Sequence, residues 1–395
     1  MTKTMLSRRE LAQAAVALCT AGATRAYGRD RAWRNTWNEY SDAVVINGVG
    51  GCNIDGSAPP DARLSPSVIA EIKQSGLTAV NVTVGSVGYV PNIADARAST
   101  LETITYLDRK LHANPDVFVK VCTGADIALA KKTKRLGVIY GFQDSWLFGR
   151  ELFRIDTFFH LGLRVLQPTY NLRNLIGDGC LEKANGGLSL FGYELVERAN
   201  QLGICLDLSH GGRRTMSDVV GASKKPVAIT HTGCAALIDV PRNTPDEQLR
   251  AVAERGGVVG IYFQPFRRAS GQPTSEDVVR HIEHALKICG EDHVGIGTDI
   301  GISTIELTPE NRRKIRDSIR DRREMGVATP GEDEDAEVWI VPDLNSPRRL
   351  EKLASLLLNR GHSEKRVRKV LGENFQRLFT EVWPSPEAAQ MSPRQ

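Results

Sequence analysis

Apolar positions in this chain come in short blocks rather than in strict alternation. Between about residue 40 and residue 300, runs rich in Val, Ile and Leu recur at Ala43–Asn47, Thr78–Val84, Gly137–Gly141, Gly162–Gln167, Ile204–Leu208, Pro226–Thr230, Gly257–Phe263 and Val294–Thr298. Short, near-continuously apolar runs are the pattern of strands buried on both faces. Longer amphipathic stretches lie between them, among them Pro66–Gln74, Gly192–Leu202, Asp246–Arg255 and Asp277–Ile288. Gly203, Gly256 and Gly290 stand where such helices would end. Eight runs alternating with helices predict an α/β fold, a (β/α)8 TIM barrel. An open doubly wound sheet is the competing arrangement, but no G-x-G-x-x-G turn follows an early strand. Val117–Val121 is a ninth run, expected as an accessory element. The acidic segment Pro330–Asp343 is expected as a surface excursion, followed by closing helices at Ser346–Asn359 and Ser363–Leu371.

The termini read differently from this block pattern. Ser7-Arg8-Arg9 precedes a short apolar run, and Ala21 and Ala23 have the spacing of a cleavage site. Residues 1–28 therefore read as a signal peptide of the twin-arginine type, which exports folded proteins to the periplasm or beyond. Its apolar run is too short to span a bilayer, so no stable membrane anchor is expected. Residues 29–382 are expected to form one barrel domain, and 383–395 a disordered tail.

With 395 residues, 41% apolar and 25% charged, the chain is in the range of a soluble globular domain of this size. A net charge of +4 gives no reason to expect nucleic acid. The basic stretch Arg312–Arg323 is interleaved with acids and reads as a solvated helix face. Seven cysteines, one of them in the signal segment, show no CxxC spacing; Cys205 and Cys289 lie in apolar runs and are expected as buried thiols.

Three polar residues close apolar runs at the same point of the strand period: His210, His231 and Asp299. Imidazole and carboxylate at the carboxyl ends of successive parallel strands gather metal ligands or acid–base groups in one barrel mouth. His281 and His284 fall in a helical stretch, and His293 precedes its strand at the opposite end. His112 and His160 have no partner nearby in sequence.

Several segments, in order, carry a family resemblance: Asn185–Gly192 (NGGLSLFG), Leu206–His210 (LDLSH), Thr230-His231, Val240–Asn243 (VPRN) followed by Asp246–Arg250 (DEQLR), Arg255–Gly260 (RGGVVG), His293–Asp299 (HVGIGTD) and Gly372–Arg377 (GENFQR). From about Asp42 to Phe379 the chain resembles the membrane (renal-type) dipeptidases, peptidase family M19. The resemblance implies a metal-dependent barrel of the amidohydrolase type. Members bind two zinc ions, hydrolyse dipeptides with tolerance for D-residues at the carboxyl side, and often dimerise. By this resemblance His210 and His231 match the ligands of the second metal position. Asp299 matches the aspartate that holds the first metal and handles the proton, and Arg242 the arginine that grips the substrate carboxylate.

Three places depart from the family pattern. Val49 and Gly51, in Asn47–Gly51, stand where a His-x-Asp pair belongs; Gln143 stands at the bridging glutamate; Tyr170 stands at a histidine that polarises the scissile carbonyl. An amide is a poor bridge because it carries no charge. Ligand counting therefore allows one zinc ion at most, on His210, His231 and weakly Gln143, with Asp299 swinging in to make a His-His-Asp site. Asp55 and Asp144 are substitute carboxylates if the loop after the first strand is rearranged. The expected function is an exported dipeptidase-like hydrolase of a small, peptide-like, carboxylate-bearing substrate. Asp299 would be its proton shuttle, Arg242 its anchor and Tyr170 its oxyanion donor. A metal-independent tailoring or isomerising enzyme on the same barrel, and a ligand-binding pseudoenzyme, are the competing readings.

Overall fold

The computed structural model describes residues 37–385 except 55, 57 and 89–91. The signal segment, residues 29–36 and Asp55 lie outside the described residues. Among the described residues nine parallel strands form: β1 (Ile46–Asn47), β2 (Ala79–Thr83), β3 (Phe118–Val121), β4 (Leu136–Phe142), β5 (Leu163–Leu166), β6 (Cys205–Leu206), β7 (Ala228–Thr232), β8 (Val258–Ile261) and β9 (Val294–Ile296). They pair in the order β6-β5-β4-β2-β1-β9-β8-β7, and a single parallel bridge, Asp207 to Ala228, joins the two ends. The chain is a (β/α)8 TIM barrel.

The ninth run is the accessory element that the sequence suggests. β3 pairs only with the first half of β4, Phe118 opposite Leu136 to Val121 opposite Ile139, and β5 takes over at Tyr140. Several strands are shorter than their apolar runs because side chains take over the ladder at the ends. The Val45 amide donates to the Thr78 hydroxyl at 3.0 Å, and the Thr230 amide to Asp207 Oδ1 at 2.8 Å. Local signals set the helix ends. Ser65 and Ser189 cap the helices Pro66–Ser75 and Leu190–Leu202 with their hydroxyls. Gly203, at φ +72, closes the latter in the left-handed conformation that a glycine tolerates. Among the described residues no helix is long and apolar enough to cross a membrane.

Inward-facing residues change character up the barrel axis. At the amino-terminal end Ile46, Ala79, Ile139, Val165, Cys205, Ala228 and Val258 make an apolar floor with Phe375 and Phe379 of the helix Asn374–Val382. Two residues further along the same strands stand Gly48, Asn81, Gly141, Gln167, Asp207, Thr230 and Gly260, small or polar throughout. The next inward positions form the mouth.

Two expectations need correction. Trp383 is not part of a disordered tail: it is buried, stacks on Phe379 at 4.4 Å, and donates its indole N–H to the Arg164 carbonyl at 3.0 Å. The acidic excursion is not merely a surface loop either. Ala336 and Trp339 pack with Ile315 and Ile319 of the helix Pro309–Glu324 into a small core of their own. That packing brings Arg322 and Glu332 inward.

Candidate active site

His210 and Asp299 follow β6 and β9 with left-handed backbones, φ +65 and +57. A side chain at such a φ is strained, and the surrounding fold must hold it there. His231 lies within β7 and is fully buried. The two imidazoles meet with Nε2 atoms 3.0 Å apart.

Hydrogen bonds behind the rings fix their tautomers. His210 Nδ1 faces the Asn171 side-chain oxygen at 2.5 Å, so this nitrogen carries the proton. His231 Nδ1 faces the Thr230 hydroxyl at 2.8 Å. That hydroxyl donates to Asp207 Oδ2 at 2.5 Å, so it must accept from His231. Asp207 is held in turn by Gln167 Nε2 (2.8 Å), the Ser209 hydroxyl (2.7 Å) and the Ser209 and Thr230 amides. Both Nε2 atoms are left as bare lone pairs aimed at one another. Burial, followed by the charge of Arg242, keeps both histidines neutral, well below their ordinary range.

The tautomers and the Nε2 separation fit two ligands of one metal ion, with the hydrogen-bonded backing that metal-bound imidazoles require. A third ligand is not in place. Among the described residues no group of three or more His, Cys, Asp or Glu side chains could hold a metal. Asp299 is therefore not swung in. Its backbone is bound to Val49 (N–H to O, 2.9 Å) and to Gln264 Nε2 (2.7 Å). Burial pushes its carboxyl up to about 6, against the pull of Arg242 and Arg322. Gln143 sits at the end of β4 and donates to the Thr83 hydroxyl at 2.7 Å, with no hydrogen bond to either histidine. Asp144 is buried in the following loop, where it accepts from the Trp146 amide and Asn174; burial pushes it up to about 7.

The structure does bring Tyr170 and Arg242 to the histidines. Tyr170 stacks on His210 with centroids 4.1 Å apart. Arg242 is buried, donates to the His231 carbonyl at 3.2 Å, and lies with Cζ 5.5 Å from the Tyr262 ring. Three other histidines are held elsewhere: His281 accepts from the Cys234 amide, His284 pairs with Asp246, and His293 bonds the Gly257 carbonyl.

Five participants escaped the sequence reading. Asp207 and Thr230 lie inside quoted motifs but read there as strand residues. Asn171 is adjacent to Tyr170. Glu332 comes from the excursion and Arg322 from the helix Pro309–Glu324, whose basic stretch is at this residue not a solvated face: they form a bidentate pair at 2.6 and 2.7 Å, and Arg322 Nη1 donates to the Tyr170 hydroxyl at 3.0 Å. Only the inward periodicity of Ile315, Ile319 and Arg322 on their helix could have flagged that arginine.

The sequence model of the membrane dipeptidase family, peptidase family M19, matches residues 64–319, more than half of the chain. A solved amidohydrolase from Pseudomonas aeruginosa is 33% identical, covers 87% of this chain and 98% of its own, and superposes with a TM-score of 0.72. Dipeptidase AC, described as a metallo peptidase of family M19, is 22% identical, with coverage of 87% and 99% and a TM-score of 0.70, a likeness of fold. The dipeptidase verJ of Clonostachys rogersoniana is 36% identical over 143 residues, 36% of this chain and 37% of its own. On its sequence match and its barrel alike, this chain belongs to the membrane dipeptidases, peptidase family M19.

Proposed function

We propose that this protein is a dipeptidase-like hydrolase that cleaves an amide bond in a small substrate bearing a free carboxylate, with one metal ion at most. The observation that carries this reading is the convergence of two neutral, proton-free Nε2 atoms, His210 and His231, beside a buried arginine. These two histidines would hold the ion. Val49, Gly51 and Gln143 offer no carboxylate or imidazole for a second one. When bound, zinc supplies Lewis acidity and lowers the pKa of a coordinated water.

The chain's own residues do the rest. Arg242 would grip the terminal carboxylate with its planar fork; among the described residues no carboxylate is hydrogen-bonded to it. Asp299, raised towards neutrality, would take a proton and return it to the leaving amine. The Tyr170 hydroxyl accepts from Arg322, which leaves its own proton free to meet an oxyanion. Asp207 and Thr230 hold His231 in the tautomer that this chemistry needs.

Elemental analysis of the purified protein tests the reading. About one zinc per chain is expected, lost in His210→Ala, with dipeptide hydrolysis lost in parallel. A protein that stays metal-free in added zinc sinks it and leaves metal-independent acid–base chemistry or ligand binding in the same mouth. We also infer export through residues 1–28. Arg8→Lys with Arg9→Lys should trap a reporter fused behind that segment in the cytoplasm.

A further inference from the structure

Arg267 is a buried cation that the proposed chemistry does not use. It is 1% exposed, and none of its three guanidinium nitrogens has a hydrogen-bond partner among the described residues. The neighbouring carboxylate, Asp277, is occupied by Arg268 at 3.2 Å and by the Thr274 amide and hydroxyl. Burial pushes Arg267 down to about 9. A guanidinium presents five donors and no acceptor, and leaving it desolvated without an anion is costly enough that buried charges are regularly found paired. A bare, buried fork of donors is therefore half of a binding site.

The fold sets the turn that carries this fork beside the loop that carries Arg242. Arg267 ends the 3-10 turn Pro265–Arg267 that leaves β8, and Arg242 lies in the loop after β7. The two loops are tied together one residue from each arginine: Asn243 Nδ2 donates to the Phe266 carbonyl at 2.9 Å. The Tyr262 hydroxyl donates to the Asn243 side-chain oxygen on the same seam. Arg242 and Phe266 both pack on the Tyr262 ring, at 5.5 and 5.9 Å, and both guanidinium charges act on its phenol.

We propose that Arg242 and Arg267 form a two-cation pocket on the β7–β8 side of the mouth. In it Arg242 takes the terminal carboxylate and Arg267 a second carboxylate on the side chain of the same residue. The preferred substrate then ends in an acidic residue, aspartate or glutamate. This rests on the reading of Arg242 given above and narrows its substrate class.

Calorimetric titration of the full chain with N-acetylglutamate and N-acetylglutamine, each as both enantiomers, tests the pocket without turnover. The acid should bind at least about tenfold tighter than the amide, the effect of one charge-assisted pairing. Arg267→Met should bring that ratio close to one and leave amide binding unchanged, and Arg267→Lys should keep part of it. The ligand-free melting temperature of Arg267→Met should rise, because an unpaired buried charge is gone. A fall would mean that Arg267 has an internal partner, and would overturn the proposal. So would a ratio of one in the wild type, a ratio that survives Arg267→Met, or no binding of either ligand at millimolar concentration. Arg242→Met separates the two readings. If it weakens both ligands while the wild-type ratio is one, Arg242 stands as an anchor and the Arg267 pocket alone fails. If it changes neither affinity, the anchor fails and the paired pocket with it.

Discussion

The two sides of the barrel mouth treat their polar groups in opposite ways. On the β5–β7 side each imidazole is backed at Nδ1, one by Asn171 and the other by the Asp207–Thr230 pair. The two Nε2 lone pairs are left without a donor. On the β7–β8 side two guanidinium groups are buried with no carboxylate hydrogen-bonded to either among the described residues. One side is short of a positive centre and the other is short of anions. A substrate whose amide carbonyl meets the histidines and whose carboxylate meets the arginines satisfies both at once. Unmet polar capacity in a buried mouth thus gives the orientation of a ligand, which the identities of the residues alone do not.

The largest break in this picture comes from Asp207, which touches no ligand. It accepts the proton that forces Thr230 to accept from His231, and its Oδ1 also replaces a strand carbonyl where the barrel closes. Asp207→Asn removes one acceptor position and frees His231 to take the other tautomer. Zinc affinity should fall by about 10–100-fold, the usual cost of losing a partner behind a metal-bound histidine. Stability should fall by about 1–3 kcal/mol. Zinc titration together with urea unfolding measures both. Unchanged zinc affinity with lowered stability would reduce Asp207 to a barrel clasp.

Acidity sharpens the comparison next. Burial lifts Asp299 to about 6 from an ordinary 3.8. As a proton acceptor it must be ionised, so kcat/KM should rise with pH through about 6. Arg322→Lys, which keeps the charge, should leave that limb in place. Arg242→Met removes a cation that holds the carboxyl down, and should move the limb upward. Stability carries the same proton with a definite sign. The folded chain holds it more tightly than the unfolded one, so stability falls as pH rises from about 4 to about 6. Asp299→Asn should remove that fall, roughly 3 kcal/mol. The histidines act in the opposite sense. Their folded pKa lies well below 6.5, so their contribution is complete above about 6.5 and is lost as pH falls below it. Urea midpoints across pH for Asp299→Asn and His210→Gln should therefore diverge in opposite directions.

Much of this was readable in the sequence, for a physical reason. A strand period of two and a fixed mouth make the residue after each apolar run meaningful, and His210, His231 and Asp299 were found that way. Tyr170 and Arg242 came from a family pattern and do stand beside the histidines. The ligand count was harder: a His-His-Asp set requires the Asp299 carboxylate beside both imidazoles, and among the described residues no such group of three forms. Arg322, Glu332 and Arg267 were missed because their roles depend on tertiary packing. A helix and an excursion that both look solvated by composition pack into a small core of their own and bring Arg322 and Glu332 inward, and a turn after β8 buries Arg267. Trp383 reads as part of a tail because one residue past a helix leaves no periodic signal, although its ring closes the barrel floor.

The smallest expected effect belongs to Tyr170, where the two sides of the mouth meet the excursion. Its ring braces His210 by stacking, and its hydroxyl accepts from Arg322. Tyr170→Phe keeps the ring and removes only the hydroxyl, so zinc content and the His210 geometry should survive. An oxyanion donor is ordinarily worth about 10²–10³ in kcat. The loss here should be smaller, about tenfold, because Arg322 Nη1 is freed in the same change and still faces the space that the hydroxyl filled. KM should stay within about twofold, since the carboxylate grip on the opposite side is untouched. A fall in KM-limited binding with kcat intact would instead make Tyr170 part of the substrate cradle. An unchanged enzyme would leave it as the brace that keeps His210 facing His231.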